Sequence, residues 1–217
     1  ANDAAQLDAI VQAARLRLAD YQNAALALRY QNFVDRVRSV EKSVLPPGAP
    51  LELTRQVAQN YARLLACKDE YEVARLYTNG SLERSLRESF EGDYTVHYHF
   101  APEYLVKSRP DGRPQVKRRF GPSARVGLKL LAGLRGLRGT PLDPFGWSAA
   151  RQQERALARE YEELIEGLLR TLSVDKHARA VRLAALPASV RGFGSVRARS
   201  VAAMREQAKA IDAEVPA

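Results

Sequence analysis

Apolar positions recur three or four residues apart over most of the chain. From about Gln6 to Leu45 the recurrence runs through Leu7, Val11, Ala14, Leu18, Tyr21, Ala25 and Leu28, then on past Phe33, Arg36 and Val40. That is the period of one face of a helix, and it admits a break near Ala19–Asp20. Pro46 and Pro47, followed by Gly48 and Pro50, stop it, because adjacent prolines cannot continue a helix. A second helix is predicted from about Leu51 to Tyr77, closing at Thr78-Asn79-Gly80. Its stripe is Val57, Tyr61, Leu64, Lys68, Tyr71 and Arg75, so cations fall on an apolar seam beside Asp69, Glu70 and Glu72. Two readings stand: snorkelling stems with their charges at the rim, or a partly buried ion network that fixes register. Ser81 is placed to N-cap a short helix through Phe90.

After the turn at Glu91-Gly92-Asp93 the period changes to two. Tyr94, Val96, Tyr98 and Phe100 share one face and Thr95, His97 and His99 the other, which predicts a half-buried strand. Its mate is Gln115 to Phe120, with Arg109-Pro110-Asp111-Gly112 as the turn and Leu105 to Lys107 as a further pairing segment. Pro122 suits the start of a helix reaching Leu134, weakened by Gly127 and Gly133. Gly136 to Trp147 holds three Gly and two Pro, so it is read as a shaped loop anchored by Phe145 and Trp147. Ser148 N-caps a long helix to about Leu172 that buries Ala156, Tyr161, Leu164, Ile165, Leu168 and Leu169. Ser173 caps another, which ends before Pro187. Gly192-Phe193-Gly194 is a second shaped loop, and a last helix runs from Ser195 or Val196 to about Ala213. The fold class is mainly α: a multi-helix bundle with a small antiparallel β-hairpin packed on it. Residues 1–217 form one helical domain in this reading, with the hairpin inserted at 93–120.

At 217 residues the chain can bury one good core. It has no apolar run of about 18 residues, which excludes a membrane-spanning helix. Its start, ANDAAQLDAI, lacks the basic and apolar regions of a signal peptide and the initiating Met, so a fragment is expected. Cys67 is the one cysteine; it can form no internal disulfide and cannot ligate an iron–sulfur cluster alone, which fits a reducing cytoplasm. Charge is where the chain departs from the ordinary. Lys107 to Arg138 carries ten Lys or Arg and one acid, Asp111, out of 34 basic and 25 acidic residues in all. Removing that segment leaves 24 of each, so the formal +9 is local, and local charge is what partners read.

The candidate chemistry follows from these two features. His97 and His99 share a strand face and are weak metal candidates; a site needs a further ligand, from Cys67, His177 or a carboxylate. The alternatives are a polar sheet face with hydrogen-bonded histidines, or a proton-handling role. The basic segment, with Arg113, Lys117, Arg118, Arg119 and Arg138 as its binding residues, suits an acidic protein surface. Aromatics among the cations also suit nucleic acid, although no RNP, KH, zinc-finger or helix-turn-helix pattern is present. A solvated basic face is the third reading. The chain has no Walker loop, no Gly-x-Ser-x-Gly elbow and no His-Glu-x-x-His, and no residue is assigned a catalytic role.

Four stretches taken together are more specific. CKDEYEVARLYTNG (Cys67 to Gly80), FEGDYTVHYHFAP (Phe90 to Pro102), GLRGTPLDPFG (Gly136 to Gly146) and LPASVRGFGSVR (Leu186 to Arg197), with YQNAALALRYQNFVDRV (Tyr21 to Val37), keep their order and spacing. The chain from about Tyr21 to Arg205 resembles the C-terminal helical domain of single-chain indolepyruvate ferredoxin oxidoreductases, which are 2-oxoacid:ferredoxin oxidoreductases. The resemblance implies a fragment of a larger multidomain enzyme, with this part as an accessory or scaffolding domain. The parent would decarboxylate aryl pyruvates oxidatively to acyl-CoA, using thiamine diphosphate, magnesium and iron–sulfur clusters. Its partners would be the catalytic domains of the same polypeptide and ferredoxin, in a homodimer. None of those cofactors is expected on this chain, which has no cysteine cluster and no thiamine-diphosphate motif.

Overall fold

The computed structural model describes residues 2–100, 118–192 and 194–214. They divide into two compact units, Ala1–Cys67 with Ser148–Ala217, and Lys68–Trp147. The architecture is mainly helical with one two-stranded antiparallel sheet, the fold class expected from the hydrophobic pattern.

The first unit holds α1 (Asn2–Tyr21), α2 (Ala24–Val44), α3 (Glu52–Leu65), α7 (Ala149–Arg170), α8 (Val174–Ala185) and α9 (Gly194–Ala213). The break in the first helical stretch lies at Gln22–Asn23, slightly past Ala19–Asp20, because Asn23 turns extended and its side chain accepts from Leu26 N at 2.9 Å. Ser148 and Ser173 cap α7 and α8 as expected. The buried face of α7 is Leu157, Ala158, Tyr161, Ile165, Leu168 and Leu169; Ala156 and Leu164 sit at its margin. Helix α3 lies at the centre, packed against α1, α2, α7 and α8. Tyr61 stacks between Tyr30 and Tyr161, with ring centroids 6.0 and 6.4 Å apart, and Phe33 packs on it at 4.8 Å.

Buried hydroxyls need partners, and these have them. Tyr30 donates to Ala58 O at 3.0 Å, Tyr161 to Ala184 O at 2.8 Å, and Tyr61 to Glu162, which Arg29 also holds. Burial pushes all three phenols well above their ordinary range, and for Tyr61 the hydrogen bond to Glu162 adds to it.

The second unit holds α4 (Glu70–Thr78), α5 (Ser81–Ser89), β1 (Tyr98–Phe100), β2 (Arg118–Phe120) and α6 (Ala124–Gly133), which ends in a 3-10 turn over Leu134–Leu137. Helix α4 packs against α6. A single helix over Leu51 to Tyr77 is thus incorrect. Asp69 is extended and its carboxylate accepts from Glu72 N at 2.7 Å, which starts a new helix at Glu70. Gly80, in the left-handed region at φ 86°, turns the chain from α4 to α5. There Asn79, not Ser81, supplies the acceptor, taking Ser81 N at 3.0 Å and Ser81 Oγ at 2.6 Å.

The hairpin pairs Tyr98 with Phe120, His99 with Arg119 and Phe100 with Arg118. The ladder is shorter than the alternating pattern implied, since Tyr94–His97 have no ladder partner among the described residues. Leu105 to Lys107 and the Arg109–Gly112 turn lie outside the described residues. The apolar face of the hairpin rests on α4: the Tyr77 ring meets Tyr98 at 5.6 Å and Phe100 at 5.4 Å, edge to face. Phe145 anchors the Gly136–Gly146 loop edge-on to Tyr71 at 5.1 Å. Trp147 does not; it is exposed, at 71%.

Candidate functional site

Helix α5 buries no residue, although Leu82, Leu86 and then Phe90 recur every four positions on an otherwise charged sequence. This row forms one wall of a groove of about 520 Å³. The run from Tyr94 to His99 and Tyr77 of α4 also line it. The volume falls within the range that takes a small ligand or a few peptide side chains. Phe90 (59% exposed), Tyr94 and Tyr77 leave ring surface open to solvent, with Phe90 and Tyr94 in contact at 6.3 Å between centroids. Unsatisfied apolar surface of this kind marks a binding region.

The polar side of the groove is set by the hairpin. Arg119 Nη2 lies 2.9 Å from His97 Nε2. A guanidinium can only donate, so Nε2 is the acceptor in this contact. That nitrogen is engaged with Arg119. No group of three or more His, Cys, Asp or Glu placed to hold a metal occurs among the described residues. The supplementary ligands considered from sequence are engaged in the first unit: His177 Nε2 is 2.7 Å from Glu41, and Cys67 Sγ is 3.5 Å from the Tyr21 hydroxyl.

Of the predicted docking residues, Arg118 and Arg119 are exposed on β2. No carboxylate pairs with Arg119 among the described residues, where its polar partner is His97. Arg113 and Lys117 lie outside the described residues. Arg138 must be removed from the docking set, because it is 8% exposed and ion-paired. Its Nε and Nη2 donate to the two Asp69 oxygens at 2.5 and 2.8 Å, and its guanidinium lies 5.2 Å over the Tyr71 ring. The same cluster shapes the neighbouring loop. Asp143, buried, accepts from Gly139 N at 2.9 Å, Phe145 N at 3.2 Å and the Tyr71 hydroxyl at 3.2 Å. Burial and then the Asp143 charge push the Tyr71 phenol up to about 12. Of the two seam cations, Lys68 is exposed and Arg75 pairs with Glu72 at 2.8 Å; the buried ion pair beside them is the one between Asp69 and Arg138, which neither reading named.

A model for a family of unknown function, DUF6537, matches residues 7–210. The chain belongs to this family. No curated protein and no solved structure matches it. The match runs through both compact units, so the DUF6537 region includes the groove and the hairpin.

Cys67 is the one thiol, and its neighbours are a phenol and, at 3.9 Å, the Arg151 guanidinium. What the sequence reading missed is the groove itself. The signal was present as Leu82, Leu86 and Phe90 at four-residue spacing, on a helix otherwise too polar to be drawn into a core.

Proposed function

We propose that this DUF6537 chain is an accessory docking module of a larger oxidoreductase of the indolepyruvate ferredoxin oxidoreductase kind, in the cytoplasm. The cofactor-bearing domains of the parent polypeptide carry thiamine diphosphate, magnesium and iron–sulfur clusters and convert aryl pyruvates to acyl-CoA. This module supplies a positively charged strand that seats on acidic ferredoxin or on those catalytic domains. The observation that carries the reading is the charge concentration between Lys107 and Arg138, of which Arg118 and Arg119 stand exposed on β2. Such surfaces act mainly on the rate of encounter and weaken with salt. The test is parent-enzyme turnover as a function of ferredoxin concentration with Arg118 and Arg119 changed to Glu. Apparent affinity should fall by roughly tenfold at low ionic strength, with the difference shrinking as salt is added. Equal apparent affinities at low salt would remove ferredoxin docking.

A second reading has one specific observation behind it. The exposed rings of Phe90 and Tyr94 lie in the same unit as the exposed cations of β2, the combination used to stack and neutralise single-stranded nucleic acid. A gel-shift titration with single-stranded RNA at two salt concentrations separates it from docking on protein.

A further inference from the structure

We propose that the open edge of the Tyr94–His99 run takes up an extended acidic segment of a partner protein as an added strand, with its apolar side chains seated on α5. This goes beyond the docking reading above, and holds whatever reaction the parent chain runs.

Tyr94, Thr95, Val96, His97, Tyr98 and His99 all line the groove. Residues of both alternating sets are present, and Tyr94–His97 lead directly into β1. β2 pairs with one edge of β1. Among the described residues, the main chain of Tyr94–His97 makes no hydrogen bond. An unpaired edge is a template for another strand, and strand addition is a recurrent way of binding peptides: main-chain bonds give affinity, and pockets for alternate side chains give selectivity. Here the pocket side is built from Leu82, Leu86, Phe90 and Tyr77.

The charge of the occupant follows from Arg119. Its guanidinium reaches across the sheet to His97, a lining residue, and lacks a carboxylate partner among the described residues. Arg118 is also exposed. An Asp or Glu on the added strand supplies the missing counter-charge as a charge-assisted bond. A basic segment would meet Arg118 and Arg119 unfavourably.

The experiment selects a display library of random peptides on the whole chain, and then measures the recovered peptides by fluorescence anisotropy. The expected consensus alternates Phe, Leu or Ile with Asp or Glu. Leu86→Asp should weaken binding at least about tenfold, and so should Arg119→Glu. To separate lost binding from unfolding of α5, Phe90→Ala is measured beside it, with circular dichroism of both; Phe90 is exposed and its loss should still weaken binding several-fold. Recovery of basic peptides would overturn the proposal. So would recovery of none, binding that survives Leu86→Asp and Phe90→Ala, or displacement of the peptides by single-stranded oligouridylate at equal concentration. Leu86→Asp leaves the cations of β2 in place. Ferredoxin affinity that persists in that variant while peptide binding is lost keeps the two proposals separate.

Discussion

Glu41 is the side chain whose removal should be felt most. It lies at the end of α2, is fully buried, and carries a carboxylate. Leu51, at the start of α3, offers no side-chain cap. Glu41 replaces it from a different helix: Oε1 accepts from Leu53 N at 2.9 Å, and Oε2 accepts from Thr54 N at 2.8 Å and Thr54 Oγ1 at 2.5 Å. His177 of α8 donates to Oε1 at 2.7 Å. One carboxylate thus joins α2, α3 and α8, and it sits where the α3 dipole favours negative charge. Losing a cap costs about 1 kcal/mol, and hydrogen bonds to a charged group are worth about 1.5–3 kcal/mol each. These do not add, and removing one partner of a buried charged cluster costs about 3–5 kcal/mol in total. Glu41→Ala should therefore destabilise the first unit by about 3–5 kcal/mol. Glu41→Gln keeps one acceptor and turns an amide towards N–H donors; about 2 kcal/mol is expected. His177→Ala should cost the least, about 1–2 kcal/mol, because the carboxylate keeps its α3 donors and the imidazole lies nearer solvent. The assay is urea unfolding by circular dichroism, with hydrogen exchange read on the first turn of α3. A loss below about 1 kcal/mol for Glu41→Ala, or a larger loss for His177→Ala, would refute the capping argument.

The ion pair of the second unit makes a parallel case: Arg138→Met or Asp69→Leu alone should cost about 3–5 kcal/mol, and the double change less than the sum, since it removes both charges of the pair together. Thermal melts of the three variants test this, and additive losses would contradict it. Alkali should act through the buried phenols. Below the ordinary tyrosine range near pH 10 both folded and unfolded states hold their protons. Above it the unfolded state loses them first, so stability falls with rising pH, from about 10 to about 12 for Tyr71 and further for Tyr30, Tyr61 and Tyr161. Tyrosinate absorbance of the folded protein should accordingly show four of the nine tyrosines ionising only as the chain opens; one shared transition near pH 10 would contradict the burial argument. Glycines separate two effects. Gly192→Ala should cost about 1–3 kcal/mol in urea titrations, as φ is 85° and an added Cβ would stand 2.6 Å from Val196 Cγ1, whereas Gly127→Ala, inside α6 with open space around it, should stabilise by about 0.5–1 kcal/mol.

Periodicity made the helices legible because most of them bury one continuous stripe, and serines at Ser148 and Ser173 announce their own caps. Where the reading went astray, the deciding interaction came from residues distant in sequence. Asp69 begins α4, four residues after α3 has ended, while its carboxylate is held by Arg138, 69 positions away. A run that is periodic throughout cannot reveal that interruption. Arg138 misled for the same reason, since charge is counted along the chain but burial is decided by what folds over it. Trp147 shows the converse: both Phe145 and Trp147 read as anchors of the loop, yet Phe145 packs on Tyr71 while Trp147 is exposed. The strand was overextended because alternation marks faces and says nothing about edges. Tyr94–His97 keep the alternating pattern and go without a ladder partner among the described residues. That discrepancy is informative in itself. A sequence patterned for a strand, lying beside a row of apolar side chains and left unpaired, has the pairing groups and the pocket of a sheet position that another chain can complete.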